Sequence, residues 1–406
     1  MPNARMSSQA SIMVCDFDAT VSRVNTNSLK WAGASQQLTD AQAQANPLPM
    51  WVADMDFQAP EPVRTALHEA VEFGVFGYPA GPSASYLSAV TQWQERRFGW
   101  TVEPEWVVTV SGIITALKTI IQAFSSPGDS VVIQTPVYAH FHNDVVMNGR
   151  IVTAAPLAFD GERYHFDAQV FEQALKDNTK LFILSNPHNP TGNVWSEGEL
   201  RTMAEICQQR GIIVVADEIH QDFILASDKR HIPFASLGAK FAQASITCVS
   251  ASKTFNLAGL QCANAIIPND RLRQEFARQV DRNQMSRVNL LGMVATEAAY
   301  RHGADWVDKL VRYIADNQRY FADAVNASGL GLHVFPMDSL YLAWIDCRAV
   351  GKDPAALEDH LLTKCRVWLD KGLKFGAEGA GFMRANLGCP RATVVQAVER
   401  LRAGLS

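Results

Sequence analysis

The chain has 406 residues, 48% of them hydrophobic and 19% charged, with a formal net charge of −5. That balance belongs to a globular protein with a large core, and the length predicts roughly two to three domains. Without a basic excess, nucleic acid and anionic membrane surfaces are poor partners, so a small molecule is the better expectation.

The first residues, "MPNARMSSQASIMVCDFD", lack the sustained apolar stretch of a signal peptide, and no segment approaches the roughly 18 uninterrupted apolar residues of a membrane helix. The seven cysteines are scattered and never form a C-x-x-C pair, which fits a reducing compartment and a cytoplasmic protein. Residues 1–55 are rich in Asn, Gln and Ser before turning apolar at "LPMWVADMDF", and read as an arm followed by a packed segment. Residues 56–290 read as a large α/β domain. Within it "WVVTV", "SVVIQ", "LFILS", "IIVVA", "SITCVS" and "NAIIP" alternate with amphipathic stretches, and such apolar runs predict a mainly parallel sheet covered by helices. One crossover helix is marked by a capping box, Ser196 with Glu199, and closed by Gly211. Residues 291–406 predict a smaller α+β domain: a long helical pattern from Leu290, strand-like "LYLAWID" and "GFMRANLG", and a terminal helix from Arg391.

Several chemistry-bearing features fall at the ends of the predicted parallel strands, where open α/β sheets place ligands. Asp217 ends "IIVVAD"; alone it reads equally well as a turn carboxylate. "SNPHNPTGN" clusters Asn186, Asn189 and Asn193 beyond what a plain turn needs. "VSGIITALKTII" runs from strand into helix at Ser111-Gly112, so the amides of Gly112, Ile113 and Ile114 point from a helix N-terminus toward any anion bound there. "SASKTFNLAG" places Lys253 among hydroxyl residues after "SITCVS". His140-Phe141-His142 would offer two imidazoles on one strand face, but no acidic or cysteine partner is evident and no metal is assigned.

In order and spacing, "NPHNPTG", "ADEIHQDF" and "SASKTFNLAG" resemble the pyridoxal 5′-phosphate-dependent class I/II aminotransferase superfamily, fold type I, over nearly the whole chain. The resemblance implies that residues 56–290 bind the cofactor and that Lys253 carries its aldehyde covalently. Asp217 then stands beside the pyridine nitrogen, Asn189 donates to the phenolic oxygen, and Tyr138 stacks on the ring. Gly112 and Ile113 amides with the Ser250 and Ser252 hydroxyls cradle the phosphate, and Arg384 binds the substrate α-carboxylate. Tyr78, in "FGYPAGP", reaches the phosphate of a neighbouring subunit, which implies a homodimer with shared active sites.

"FDATVSRVNTNSLKW" followed by "LPMWVADMDF", then "FGYPAG" and "ASKTFNLAGLQ", is similar to the cystathionine β-lyase or C–S lyase subgroup of the MalY/PatB type. Two departures from common aminotransferases agree with that subgroup: Gln261 where many carry an arginine eight positions after the lysine, and His220 where many have a tyrosine near the phenolic oxygen. "MDSLYLAW" departs from the Gly-Thr-Tyr pattern, so Ser339 and Leu340 are expected to reshape the substrate pocket, and His188 is a further candidate for its lining. The implied reaction is α,β-elimination from cystathionine or an S-substituted cysteine, giving pyruvate, ammonia and a thiol. Transamination between an amino acid and a 2-keto acid would use the same residues, and a non-enzymatic metabolite-binding protein on this fold is the remaining alternative.

Overall fold

The computed structural model describes residues 15–405. The reading of the first residues as lacking a signal peptide falls largely on residues 1–14, outside the described residues. The six apolar runs form strands β1 (Val107–Val110), β2 (Ser130–Thr135), β4 (Thr179–Ser185), β5 (Ile213–Asp217), β6 (Ser245–Val249) and β7 (Ala263–Ile266) of one sheet, which a seventh, partly exposed strand not anticipated from sequence, β3 (Ile151–Pro156), completes at its edge. Their order is β1-β7-β6-β5-β4-β2-β3, and every pairing is parallel except those of β7 with β1 and β6.

The helices include α1 (Ile113–Phe124), α2 (Ala139–Met147), α3 (Glu197–Gln209), α4 (Leu290–His302), α5 (Ala304–Asn326) and α6 (Arg391–Leu405). Side chains alternate across the sheet, as a period of two requires. Val131, Ile133, Leu181, Ile183 and Val215 pack into one core with Leu117, Ile120 and Ile121 of α1. Val132, Phe182, Leu184, Val214 and Ala216 pack into another with Leu200, Met203 and Cys207 of α3. Burial on both faces explains why these strands read as unbroken apolar runs. The α3 capping box forms: Ser196 Oγ accepts from the Glu199 amide, and the Glu199 carboxylate accepts from the Ser196 amide at 2.8 Å.

The continuous helical pattern from Leu290 is interrupted. It divides at Gly303 into α4 and α5, because the chain crosses Phe255 there and a β-carbon would overlap both that ring and the Ala299 carbonyl. The strand assigned to His140-Phe141-His142 is also corrected. These residues open α2, where Phe141 and Val145, four apart, turn inward together. His140 and His142 therefore stand about 200° apart around the helix axis, and His140 Nδ1 meets Asp144 Oδ1 at 3.2 Å.

A second sheet of β8 (His333–Val334), β9 (Leu342–Asp346), β10 (Asp370–Lys371) and β11 (Phe382–Asn386) is antiparallel, in the order β8-β9-β11-β10. Phe321 and Val325 of α5 and Val394, Val398 and Leu401 of α6 cover it. Leu48–Pro49 pairs in parallel with Val367–Trp368, tying the start of the chain to its end. Among the described residues, no helix is long and apolar enough to cross a membrane.

Candidate active site

Parallel register gathers the chemistry. Ser185 at the end of β4 lies beside Asp217 at the end of β5, and Asp217 lies beside Cys248 of β6, after which the chain turns through Ser250 to Lys253. These ends open on a cavity of about 630 Å³ whose far wall comes from Trp51, Asp370 and Arg384.

Lys253 Nζ donates to the Ala53 carbonyl at 2.6 Å. Burial, reinforced by the Arg384 charge, pushes its ammonium down to about 8 despite Asp54 and Asp217 nearby. Asp217 accepts from the Ile219 amide at 3.2 Å, yet loss of solvent dominates and pushes its carboxyl up to about 7. The folded chain holds this proton where the unfolded chain has released it, so the associated stability is full below about 4 and is lost as pH rises through about 7. Denaturant titrations of cofactor-free Asp217→Asn should lack this decline, and a wild-type profile equally flat from pH 4 to 7 would refute the assignment.

Gly112 precedes α1 at φ 100°, a left-handed-side conformation open to glycine, with free space where a β-carbon would sit. It supplies no side-chain cap, so the first-turn N–H groups of α1 are left to a ligand, and Gly112 and Ile113 line the cavity. Tyr138, Ser252 and Gln261 line it too. Burial pushes the Tyr138 phenol up to about 12. His220 also faces the cavity; it is fully buried, its Nδ1 has no partner, and desolvation holds its imidazole well below the ordinary range.

Asn189 is the asparagine of its cluster that reaches the cavity. Its Oδ1 accepts from Arg384 Nη1 at 3.1 Å, which leaves its Nδ2 as the donor. Asn186 instead serves Glu218 and the Ile232 carbonyl, and Asn193 donates to the Tyr164 carbonyl. Arg384 is buried with its guanidinium 4.7 Å from the centre of the Phe375 ring, and Nη2 donates to Asp370 at 2.9 Å and to the Trp51 carbonyl at 3.2 Å.

Four expected residues, Ser250, His188, Ser339 and Leu340, do not line the cavity. Ser250 does not line the cavity: its hydroxyl caps the Ala251–Thr254 turn and donates to the Cys262 carbonyl at 2.7 Å, so its contribution is to place Lys253. His188 packs behind the wall, its Nε2 at 2.8 Å from the Pro136 carbonyl and its ring edge-on to Trp195. Ser339 is buried against the asparagine turn, its Oγ donating to the Gly192 carbonyl at 2.8 Å, and Leu340 is buried in the core beside Phe223, its amide donating to the Phe223 carbonyl, so both support the pocket from behind rather than shape its inner wall. Tyr78 is 87% exposed, with Arg287 over its ring at 4.8 Å.

A family profile for aminotransferase class I and II matches residues 48–401. The chain belongs to the class I and II aminotransferase family. It is 42% identical to cystathionine beta-lyase PatB of Bacillus subtilis, over 96% of this chain and all of that one, and 34% identical to protein MalY of Escherichia coli, over 95% and 97%. The crystal structure of cystalysin from Treponema denticola, which contains a pyridoxal 5′-phosphate cofactor, superposes with a TM-score of 0.92 at 32% identity, over 97% of this chain and 99% of that one. This class I and II aminotransferase family member therefore sits with the PatB and MalY branch.

The subgroup signature in the first 57 residues contains side chains that fix the site from outside, although their contacts could not be read from it. Asp54 and Asp56 are clamped by the arm: Arg23 meets them at 2.7 and 2.9 Å, buried Lys30 meets Asp56 at 2.6 Å, and Trp31 Nε1 donates to Asp56 at 3.0 Å. Asn386 donates to the Val52 and Asp54 carbonyls, and the Tyr341 hydroxyl to that of Ala53. The segment that carries the Ala53 carbonyl is thus held by the arm, by Asn386 and by Tyr341. Asp370 and Lys374, paired at 2.7 Å, were likewise invisible until β10 and β11 aligned beside the cavity.

Proposed function

We propose that this chain is a pyridoxal 5′-phosphate-dependent carbon–sulfur β-lyase that converts cystathionine or another S-substituted cysteine to pyruvate, ammonia and a thiol. The observation that carries the reading is a half-buried lysine amine, brought down to about 8, sharing one cavity with a buried strand-end carboxylate. The residues fit the cofactor. Asp217 would pair with a protonated pyridine nitrogen, uncapped α1 amides with Ser252 would hold the phosphate, and Asn189 Nδ2 and His220 would supply polar partners for the ring substituents.

The bound cofactor supplies an electron sink for the pair left when the substrate Cα loses its proton. Arg384 fixes the substrate carboxylate and so aims Cα–H toward Lys253. Lys253 Nζ, with its lowered proton affinity, takes that proton. Tyr138, Trp51 and Ile113 line the cavity in which the substrate would lie. The PatB relationship supports elimination of a thiolate over transfer of the amino group. Holoenzyme given cystathionine or S-ethyl-L-cysteine should release pyruvate and thiol in equal amounts without 2-oxoglutarate. Strict dependence on the keto acid with no thiol released would make it an aminotransferase.

The same reading includes a homodimer with shared sites. Tyr78 lies in a stretch where Phe73, Val75 and Phe76 are exposed as well, an apolar surface that a second copy would cover. Inactive Lys253→Ala and Tyr78→Ala subunits, mixed, should recover activity in hybrid dimers, where one site regains both residues. A protein that stays monomeric and fully active on dilution would exclude this arrangement.

A further inference from the structure

Resting on the amino-acid-binding role of Arg384, we infer that Asp370 occupies the place of the substrate carboxylate in the free site and that Lys374 draws it aside when substrate arrives. A planar guanidinium offers a carboxylate two forks of adjacent hydrogens, Nε with Nη2 or Nη1 with Nη2, and both forks use Nη2. Here both Nη2 hydrogens are taken, one by the Trp51 carbonyl and one by Asp370 Oδ2. Nε is buried without a partner. A bidentate substrate must therefore displace one acceptor. The Trp51 carbonyl is backbone, in a segment held by the pairing of Leu48–Pro49 with Val367–Trp368, whereas Asp370 is a side chain that can rotate.

Asp370 has somewhere to go. Its other oxygen, Oδ1, accepts from Lys374 Nζ at 2.7 Å, and Lys374 lies at the cavity rim with its side chain 39% exposed, its ammonium 5.4 Å from the centre of the Trp51 ring. Two cations and one carboxylate leave this corner with one positive charge, and the incoming carboxylate neutralises it. Once displaced from Arg384, Asp370 keeps a charge partner, so it is not stranded beside the substrate's negative charge. Asp370 and Lys374 are positioning residues in this scheme: they set how tightly an α-carboxylate binds without touching the reacting carbon.

The test is binding of L-alanine to holoenzyme, read from the visible absorbance of the bound cofactor, together with KM and kcat for S-ethyl-L-cysteine. Asp370→Asn should bind L-alanine more tightly and Lys374→Met more weakly, each by roughly tenfold, the scale of one charge-assisted hydrogen bond. The changes in KM should follow while kcat stays within about twofold. In the Asp370→Asn background, Lys374→Met should have no further effect. L-alanine methyl ester, which lacks the carboxylate, should bind all variants alike and so reports an intact pocket. Weaker L-alanine binding by Asp370→Asn would overturn the inference, making Asp370 a support for Arg384. A Lys374→Met effect that persists without Asp370 would also overturn it, making Lys374 a direct ligand. If the wild type follows this binding pattern yet releases no pyruvate, the lyase reading fails and the inference stands.

Discussion

Lys253→Ala should lower pyruvate release by about 10⁴-fold or more, since one side chain both carries the cofactor and takes the Cα proton. The loss should be chemical rather than structural. Lys253 donates to the Ala53 carbonyl, but Tyr341 donates to the same oxygen at 2.9 Å, so its removal strands no buried acceptor. Asp217, Asn189 and the α1 amides remain, and the variant should retain cofactor noncovalently after brief dialysis. Turnover and cofactor content measured together check both halves. An active Lys253→Ala enzyme would dismiss the assignment outright.

Arg384→Ala should lower kcat/KM by about 10²- to 10³-fold, the range for truncating one member of a buried charge pair. Lysine should not rescue it, because a single ammonium cannot reproduce a planar fork stacked on Phe375 while also donating to Asn189 and Trp51. Asp370 keeps Lys374 and so is not left unpaired, which confines the damage to substrate binding and to the aim of the Cα–H bond. Steady-state kinetics with S-ethyl-L-cysteine measures this. A change below about threefold would remove Arg384 from carboxylate recognition.

What was legible in the sequence depended on locality. Strands buried on both faces announce themselves as apolar runs, and a capping box such as Ser196 with Glu199 is a contiguous pattern. Lys253, Asp217 and Asn189 could be proposed because each stands in a local motif at a strand end, and parallel register then assembles such ends. The errors arose where partners are distant. Ser250 looks like Ser252 in sequence, and only the Cys262 carbonyl twelve residues on shows that its hydroxyl is committed. Asp370 carries no motif, and its meaning comes from lying opposite Arg384 across two strands. Gly303 sits in an otherwise helical pattern, and the ring that forbids a side chain there belongs to Phe255. His140-Phe141-His142 was misjudged by period, since three residues fit a strand while Phe141 with Val145 requires a helix.

The clamp on residues 52–56 has a consequence for how the protein is made. Arg23, Lys30 and Trp31 emerge from the ribosome early, but the segment they grip also needs Tyr341 and Asn386, and its neighbouring strand pair needs Val367–Trp368. Lys253 is synthesised before Arg384 and before Asn386, the last brace of the 52–56 segment. The strands of the seven-stranded sheet all lie within residues 107–266, yet the cavity beside Lys253 is not enclosed until residues through Asn386 have been made. A chain cut before Asp370 would lose Asp370 and Arg384 from the far wall of the cavity while keeping Lys253.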